Sequence, residues 1–523
     1  MESVVQMMQH PQSMSFTDRV NPILLRELRQ MVRNRLILWI INLYLLAQVA
    51  LSWSFIRAVL NDGTLLPPHF PVMVFSVFLA VTTLASLIAV VGYTALRIVV
   101  DRANEDLLFF TALSPGAIVR GRLVCGLLIG ILLFCMSGPF IMFTYLLRGV
   151  DIRYYLIGIP LAFAAVQIVN TVALAVFSAA RTYLQAAFYS LLFLAAFAWL
   201  IFDWWRIGTS LHFVAFGHYS LYPYSILYFG GIYWPVLSWY EIGWLVLFTI
   251  LWVPPTAYLF ARCNLSPFSY NRMLPIRRWL SCWMGGTLLV CLAEYYLHEP
   301  LTLDWLGTPL LVYWITCAPY ALAVMLVMAV CERETWEGRL RRSIPSSLWG
   351  RIVVFPHYTG SVNGLLWCCL WTMFLIVFIS FWELLSVHVT KSYFWDNPTE
   401  LLWLFRQLIF LMLVFNYTMT AFFLWKVLLY RWVPREMIWT LALGLLAVVS
   451  FGTLFATYLI REQFHLSEIE NGLLLAANPF IVLLDEGFEY YQSVCAVGWM
   501  SLIILFGYPW LRNRFLDFNN KNI

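Results

Sequence analysis

The sequence predicts an all-α polytopic membrane protein, and two observations carry that prediction. Of its 523 residues, 62% are hydrophobic and only 11% are charged, whereas a soluble domain averages about 25% charged residues. The apolar residues also come in continuous runs of about 20, the length that a helix needs to cross the hydrocarbon layer of a bilayer. Because the runs are continuous rather than alternating, they exclude a transmembrane β-barrel.

The apolar runs predict about twelve membrane-spanning helices, six in each half of the chain. The run 183–202 is short and ends at the polar Asp203. The predicted spans are 36–58, 72–96, 123–147, 155–178, 183–202 and 240–261 in the first half, and 279–297, 307–330, 363–387, 401–428, 437–460 and 493–511 in the second.

The distribution of basic residues predicts the orientation of these spans. With twelve spans and a cytoplasmic N-terminus, 25 of the 32 Lys and Arg residues fall on the cytoplasmic side and seven on the opposite side or close to it. An excess of basic residues in short cytoplasmic loops is the positive-inside pattern. The even number of spans then places both termini in the cytoplasm.

Both halves of the chain follow the same plan, which indicates an internal duplication. Each half has two spans, a charged cytoplasmic segment (101–123 or 332–352), three spans, an outer segment with a Pro-aromatic pair, and a last span. Such repeats are typical of transporters. We therefore divide the chain into a cytoplasmic tail and amphipathic helix over 1–35 and two six-helix halves over 36–262 and 263–523.

Two segments outside the spans carry a recognisable pattern. Residues 17–35 place apolar side chains at helical spacing and arginines on the other faces, which favours a helix in the membrane interface over a solvated stretch beside the membrane. Residues 203–239 are rich in Trp, Tyr and Phe. Since aromatic side chains concentrate at membrane interfaces, we predict short helices that dip into the outer headgroup layer.

The sequence also limits the chemistry of the chain. It contains only three lysines, Lys391, Lys426 and Lys521, and none follows a glycine, so there is no P-loop to bind ATP. No metal-ligand spacing is present among the ten cysteines, and no catalytic motif lies near a span. We therefore expect no enzyme activity, no cofactor or metal in this chain, and no nucleic-acid partner.

An ion-coupled secondary transporter is the alternative transport class. Such proteins place ionisable side chains within their spans. Glu383 and Arg406 both lie near the predicted outer interface. They are candidate pathway residues or ion-pair partners, and the alternative is that both extend to the lipid headgroups.

Several segments together resemble the type-2 ABC transporter permeases. NPILLRELRQMVRNR before the first span is similar to the interfacial helix of that family, and EDLLFFTALSPGAIVRGRL over 105–123 resembles its coupling helix. The second half has ERET over 332–335 and a Ser-Ile-Pro turn that ends at Pro345, and Asn478 opens an Asn-Pro-Phe turn like that of the family's outer helices. The matching ATPase-coupling residues are Glu105, Asp106, Leu107, Leu113, Ser114, Pro115, Arg120, Glu332, Glu334, Thr335 and Pro345.

This resemblance implies a permease subunit that works with cytoplasmic ABC ATPase subunits, which would bind the ATP and Mg. It favours export over import and a bacterial inner membrane. Twelve spans are double the usual six, which suggests two fused halves, and a homodimer stays open. The few charged residues within the spans favour an apolar or amphiphilic substrate. The first half lacks the Glu-Arg-Glu opening of the family's coupling motif, and the second half lacks its acidic Leu-Leu run.

Overall fold

The computed structural model describes part of the chain, and most of the described residues are helical. The described residues are 22–33, 35–61, 70–102, 114–146, 152–180, 185–191, 227–229, 232–234, 239–266, 271–297, 309–332, 342–390, 399–432, 437–438, 440–449, 452–453, 478 and 489–519. The chain divides into two compact units. The first takes Met1–Phe197 and Thr249–Pro267, and the second takes Ala198–Phe248 and Phe268–Ile523.

The first unit contains a short helix followed by four long ones. Proline residues open α1 and α4, at positions where the missing amide proton costs no helical hydrogen bond. The helices are α1 (Pro22–Arg33), α2 (Arg35–Asn61), α3 (Phe70–Arg102), α4 (Pro115–Leu146) and α5 (Ile152–Ala179). A further helix, α6 (Trp239–Asn264), runs across the boundary between the two residue ranges.

Over its described residues, the second unit contains the helices named here α7 to α12 and a small hairpin. Its helices are α7 (Leu274–Leu297), α8 (Pro309–Cys331), α9 (Leu348–Val354), α10 (Ser361–Thr390), α11 (Thr399–Leu424) and α12 (Glu489–Asn519). A five-residue π-helical turn, Trp425–Leu429, extends α11. Helix α8 packs against α10 and α11, and α11 packs against α12.

The predicted all-α class is confirmed over the described residues, apart from one hairpin. Within that part of the chain, six helices are long and apolar enough to cross a membrane, which is consistent with an integral membrane protein. One predicted span, 183–202, lies mostly outside the described residues. The span 437–460 is described over 437–438, 440–449 and 452–453, where Thr440–Val449 is a shorter apolar helix. The six membrane-length stretches are Ile37–Arg57, Val74–Ile98, Pro115–Leu146, Tyr155–Ala179, Ser361–Phe378 and Arg406–Leu429.

The prediction of short helices over 203–239 is wrong for the residues that the structure describes there before α6 begins at Trp239. Strands β1 (Leu227–Phe229) and β2 (Ile232–Trp234) pair in antiparallel register, with Tyr228 opposite Tyr233. Aromatic and β-branched side chains favour strands, and the Gly-Gly pair between the strands is typical of a two-residue hairpin connection. The aromatic density that suggested interfacial helices therefore also fits a hairpin.

Helix α3 is the centre of the first unit, where it packs against α2, α4 and α5. Val90, which is fully buried, belongs to a core cluster that also contains residues of α2, α4 and α5. Small residues let the helices approach closely. A Cβ atom at Gly130 of α4 would lie 2.7 Å from the amide nitrogen of Gln167 on α5, so this glycine leaves room for a polar side chain between the helices.

In the second unit, the helical segment before α10 is interrupted, whereas α4 of the first unit is continuous from Pro115 to Leu146. Helix α9 ends at Val354, a 3-10 turn covers Phe355–His357, and α10 begins only at Ser361. Gly360 has a φ angle of 149°, a value that residues with side chains rarely adopt. The interruption is packed rather than loose, because Phe355, Tyr358 and Val362 form a buried cluster.

Candidate functional site

The first predicted coupling segment leads directly into α4. Ser114 stands just before the helix, where its side-chain oxygen accepts a hydrogen bond from the Ala117 amide at 3.3 Å, and Pro115 is the first helical residue. This arrangement is a helix N-cap followed by proline. Arg120 is exposed two turns into the helix and donates to the Tyr258 hydroxyl at 3.4 Å. The other predicted residues here, Glu105, Asp106, Leu107 and Leu113, lie outside the described residues.

The amphipathic helix α1 is joined to α3 of the first unit by a buried ion pair that the sequence did not single out. Glu27 is only 1% exposed and accepts two hydrogen bonds from Arg97, from Nε at 2.8 Å and from Nη2 at 3.0 Å. The Tyr93 hydroxyl donates to the same carboxylate at 2.7 Å. A two-point contact of this kind fixes orientation as well as distance.

The rest of α1 follows the predicted amphipathic pattern. Leu24, Leu28 and Met31 pack against the core cluster of the first unit, whereas Arg29 and Arg33 are exposed. The apolar face of α1 therefore contacts protein. Its position in the membrane interface stays a prediction.

The second predicted coupling segment begins with a buried carboxylate. Glu332 is 6% exposed, forms an ion pair with Arg277 of α7, and accepts the Gly360 amide at 2.6 Å. Burial raises the pKa of the Glu332 carboxyl, while the guanidinium of Arg277 and the Gly360 amide oppose that rise. The carboxylate therefore lies at the start of α10, where the helix dipole favours negative charge. Glu334 and Thr335 lie outside the described residues.

Arg277 ties this carboxylate to the interrupted helix. Its side chain is fully buried, and its Nη1 donates to the carbonyl oxygens of Pro356 and Tyr358, the former at 3.2 Å. Asn271, six residues earlier, accepts from both the amide and the hydroxyl of Thr359, at 3.1 and 2.8 Å. The contacts hold α7, the end of α8 and the 355–360 connection as one cluster.

The predicted Ser-Ile-Pro turn is closed by an arginine of α9. Arg351 Nε donates to the Pro345 carbonyl at 3.0 Å, and the Ser347 side chain caps α9 by accepting the Gly350 amide at 3.2 Å. The apolar face of α9 stays open, since Trp349 and Val353 are 76% and 66% exposed. The sequence carried a signal for this surface, because Trp349 and Arg351 follow the turn in the segment SSLWGRI.

Of the two candidate pathway residues, the structure describes the side chain of Arg406 but not that of Glu383. Arg406 lies on α11 and is 5% exposed, so its guanidinium is turned into the protein. Glu383 lies in α10, and its side chain is outside the described part of the chain. An ion pair between them stays a prediction. Asn478 is buried and donates to the Thr453 hydroxyl at 2.9 Å.

Buried amides within the helices were also missed by the sequence reading. Gln48 of α2 is fully buried and donates to the hydroxyls of Tyr44 and Thr82, both at 3.1 Å. Asn170 of α5 accepts from Thr94 of α3 at 3.2 Å. Single polar residues in apolar runs give only a weak signal, because a sequence does not show which face of a helix they occupy.

Comparison with models of protein families, with curated proteins and with solved structures gives no match. The resemblance to ABC permeases therefore rests on the motifs themselves. These comparisons leave the substrate and the partners unassigned.

Proposed function

We propose that this chain is the membrane-spanning permease of an ATP-driven exporter, in which two fused six-helix halves work with separate ABC ATPase subunits. The observation that carries the proposal is the repeated arrangement at the cytoplasmic segments. In each unit, a buried ion pair holds the chain close to the start of the predicted coupling segment. The residue held is Arg97, near the end of α3, in the first unit and Glu332, after α8, in the second.

The twelve-span topology with both termini in the cytoplasm is part of this proposal. Ten of the twelve predicted spans coincide with helices within the described residues, and six of those helices are long and apolar enough to cross a membrane. The excess of basic residues on one side supports the orientation. A bacterial inner membrane follows from the family resemblance alone.

The second coupling segment would dock through α9 and the Pro345 turn. Trp349, Ile352 and Val353 are exposed on this short helix, and large apolar side chains are typical of a surface that a partner covers. Glu332 would act as a positioning residue, because its carboxylate is buried against Arg277 at the first residue of the segment. In the first segment, Arg120 is exposed and available to a partner surface.

An amphiphilic substrate is supported by the polar groups inside the described helices. The fully buried polar residues in the middle of the spans are neutral, such as Gln48, Ser86 and Asn416. The buried charges lie outside the predicted spans or near their ends: Glu27 on α1, Arg122 before 123–147, Arg277 before 279–297, Glu332 after 307–330 and Arg406 six residues into 401–428. Neutral hydrogen-bonding groups in an apolar bundle suit a cargo with a small polar part.

The test is purification of the tagged chain from its native membrane in mild detergent, followed by mass spectrometry and an ATPase assay. We expect a P-loop ATPase to co-purify with the wild-type chain and to be lost from Glu105→Lys/Asp106→Lys. The control Asp18→Lys/Asp517→Lys reverses two acidic residues on the same predicted side, outside both coupling segments, and should retain the ATPase.

The alternative, an ion-coupled transporter, is favoured by one observation, the burial of Arg406 in a membrane-length helix. Recovery of the chain alone, without ATPase activity, would contradict the ABC proposal. Proton- or sodium-dependent uptake into vesicles, abolished by Glu383→Gln or Arg406→Gln, would then establish the alternative.

A further inference from the structure

Each unit contains a buried ion pair at the same place in its chain order. In the first unit, Glu27 on α1, before the first predicted span, pairs with Arg97, which directly follows the second predicted span near the end of α3. In the second unit, Arg277 in the first turn of α7 pairs with Glu332, the residue that follows α8. The partners are 70 and 55 residues apart. Each pair joins a residue before the first predicted span of a six-helix half to a residue after its second predicted span.

We infer that the two pairs are copies of one positioning contact in which the acid and the base have changed places. The acid comes first in the first unit and the base comes first in the second. This inference rests on the proposed two-half organisation. It does not depend on the ATPase partner, because each pair lies within one unit of the isolated chain.

The surroundings of the second pair determine which position carries the acid and which carries the base. Arg277 donates to two backbone carbonyls, of Pro356 and Tyr358, which only accept hydrogen bonds. Glu332 accepts from the Gly360 amide, which only donates. Exchange of the two residues would place a carboxylate against carbonyl oxygens and a guanidinium against an amide proton, so both positions would be electrostatically unfavourable.

The described contacts of Glu27 allow either an acid or a base at position 27. Besides Arg97, the described neighbour of the Glu27 carboxylate is the Tyr93 hydroxyl, at 2.7 Å. A hydroxyl both donates and accepts, and this one also lies 3.2 Å from the Glu27 carbonyl oxygen. After an exchange it would accept from the arginine at position 27 and donate to that carbonyl.

The contact determines where each coupling segment leaves its unit. Arg97 lies five residues before the end of α3, and residue 103 begins the connection to α4. Glu332 is itself the first residue of the second segment. A force applied to either segment would therefore act on α1 or α7 through a charged contact as well as along the chain.

The test compares single reversals with exchanges in the purified full-length chain in detergent, with hydrogen–deuterium exchange and thermal unfolding as readouts. In the first unit, Arg97→Glu should speed amide exchange over 22–33 about tenfold or more, because two carboxylates then face each other in a buried site. Glu27→Arg/Arg97→Glu should restore the protection. In the second unit, Arg277→Glu should speed amide exchange over 355–364, and Arg277→Glu/Glu332→Arg should not restore the protection.

Matched controls separate the ion pair from general charge effects. Arg29→Glu and Arg278→Glu make the same charge change at exposed positions beside each pair, and both should retain wild-type protection. If Arg97→Glu is not recovered from membranes, Arg97→Gln and Glu27→Gln/Arg97→Gln give the same comparison. The double variant should then be the better protected, since it leaves no unpaired buried charge.

Two outcomes would overturn the inference. If the exchange in the first unit is no better protected than its single variants, the surroundings of this pair also determine which position carries the acid. If the exchange in the second unit restores protection as fully as that in the first, backbone groups do not determine which position carries the acid there. Neither result bears on whether an ATPase co-purifies, so this test and that of the proposed function fail independently.

Discussion

Gly364 shows how tightly single residues are constrained around the buried Arg277. A Cβ atom at this position would overlap the Arg277 guanidinium and the Ala329 side chain. We expect Gly364→Ala to destabilise the chain by about 1–3 kcal/mol, the usual cost of overpacking. Thermal unfolding in detergent measures this effect as a lower Tm.

Gly285→Ala is the matched control for that substitution. Gly285 lies on α7 in the same unit, and no atom stands within 4 Å of its virtual Cβ. Its replacement should leave the Tm unchanged or raise it slightly, since alanine is the better helix former. Equal losses in both variants would show that the Arg277 site is not closely packed.

His357 makes the same cluster sensitive to pH. Burial lowers the pKa of the imidazole, and the charges of Arg277 and Arg278 lower it further, against a hydrogen bond to the Val353 backbone. The folded state therefore binds a proton less readily than the unfolded chain, whose pKa is about 6.5. The stability that His357 contributes is complete above that value and is lost as the pH falls below it.

We therefore expect the Tm of the wild-type chain to fall more steeply than that of His357→Gln as the pH is lowered from about 7 to 5. The measurement is thermal unfolding across this range for both proteins. The difference between the two profiles removes the contribution of other titrating groups. Parallel profiles, or a wild-type chain that gains stability on acidification, would contradict the assignment.

At the scale of elements, α9 depends on its cap because it has only seven residues. The Ser347 side chain accepts the Gly350 amide, and loss of such a cap costs about 0.5–2 kcal/mol. Ser347→Ala should therefore speed hydrogen exchange over 348–354. Ser346→Ala, at the exposed neighbouring position, should not. If the Ser347 variant is as protected as the wild-type chain, packing rather than capping holds α9.

The long helices could be predicted from the sequence because each needs only a run of apolar residues. The run 36–58 predicts the span Ile37–Arg57 of α2, and 155–178 predicts Tyr155–Ala179 of α5. The limits of the helices were harder to place. Helix α4 begins at Pro115, eight residues before the predicted span, because a helix with a serine N-cap and a proline at its first position also includes charged residues, such as Arg120 and Arg122, that interrupt an apolar run.

The contacts between elements could not be predicted, since they depend on which distant residues meet. Glu27 looked like a surface residue of an amphipathic helix, yet it is buried against Arg97, 70 residues away. Glu332 looked like a docking residue, yet its carboxylate pairs with Arg277. Charged residues beside an apolar run read as solvated in a sequence, and only the fold shows that two of them neutralise each other.

At the scale of the whole molecule, the duplicated plan and the charge bias lead to one topology. In the proposed topology, a basic segment precedes the first span of each half, and the chain returns to the same side before the second half begins, around residues 262–278. The proposal therefore places residues 1–35, 267–270 and the C-terminus on the cytoplasmic side. The connections at 147–151 and 391–398 are placed outside.

Reporter fusions in a bacterial host test this topology directly. Alkaline phosphatase, which is active only outside the cytoplasm, should be active when fused after residues 149 and 395 and inactive after residues 268 and 523. Green fluorescent protein at the same positions should give the opposite pattern, because it does not fluoresce when exported unfolded. An active phosphatase at the C-terminus, with a cytoplasmic N-terminus, would require an odd number of spans. That result would contradict two equal six-helix halves, whereas the two ion pairs within the units would be unaffected.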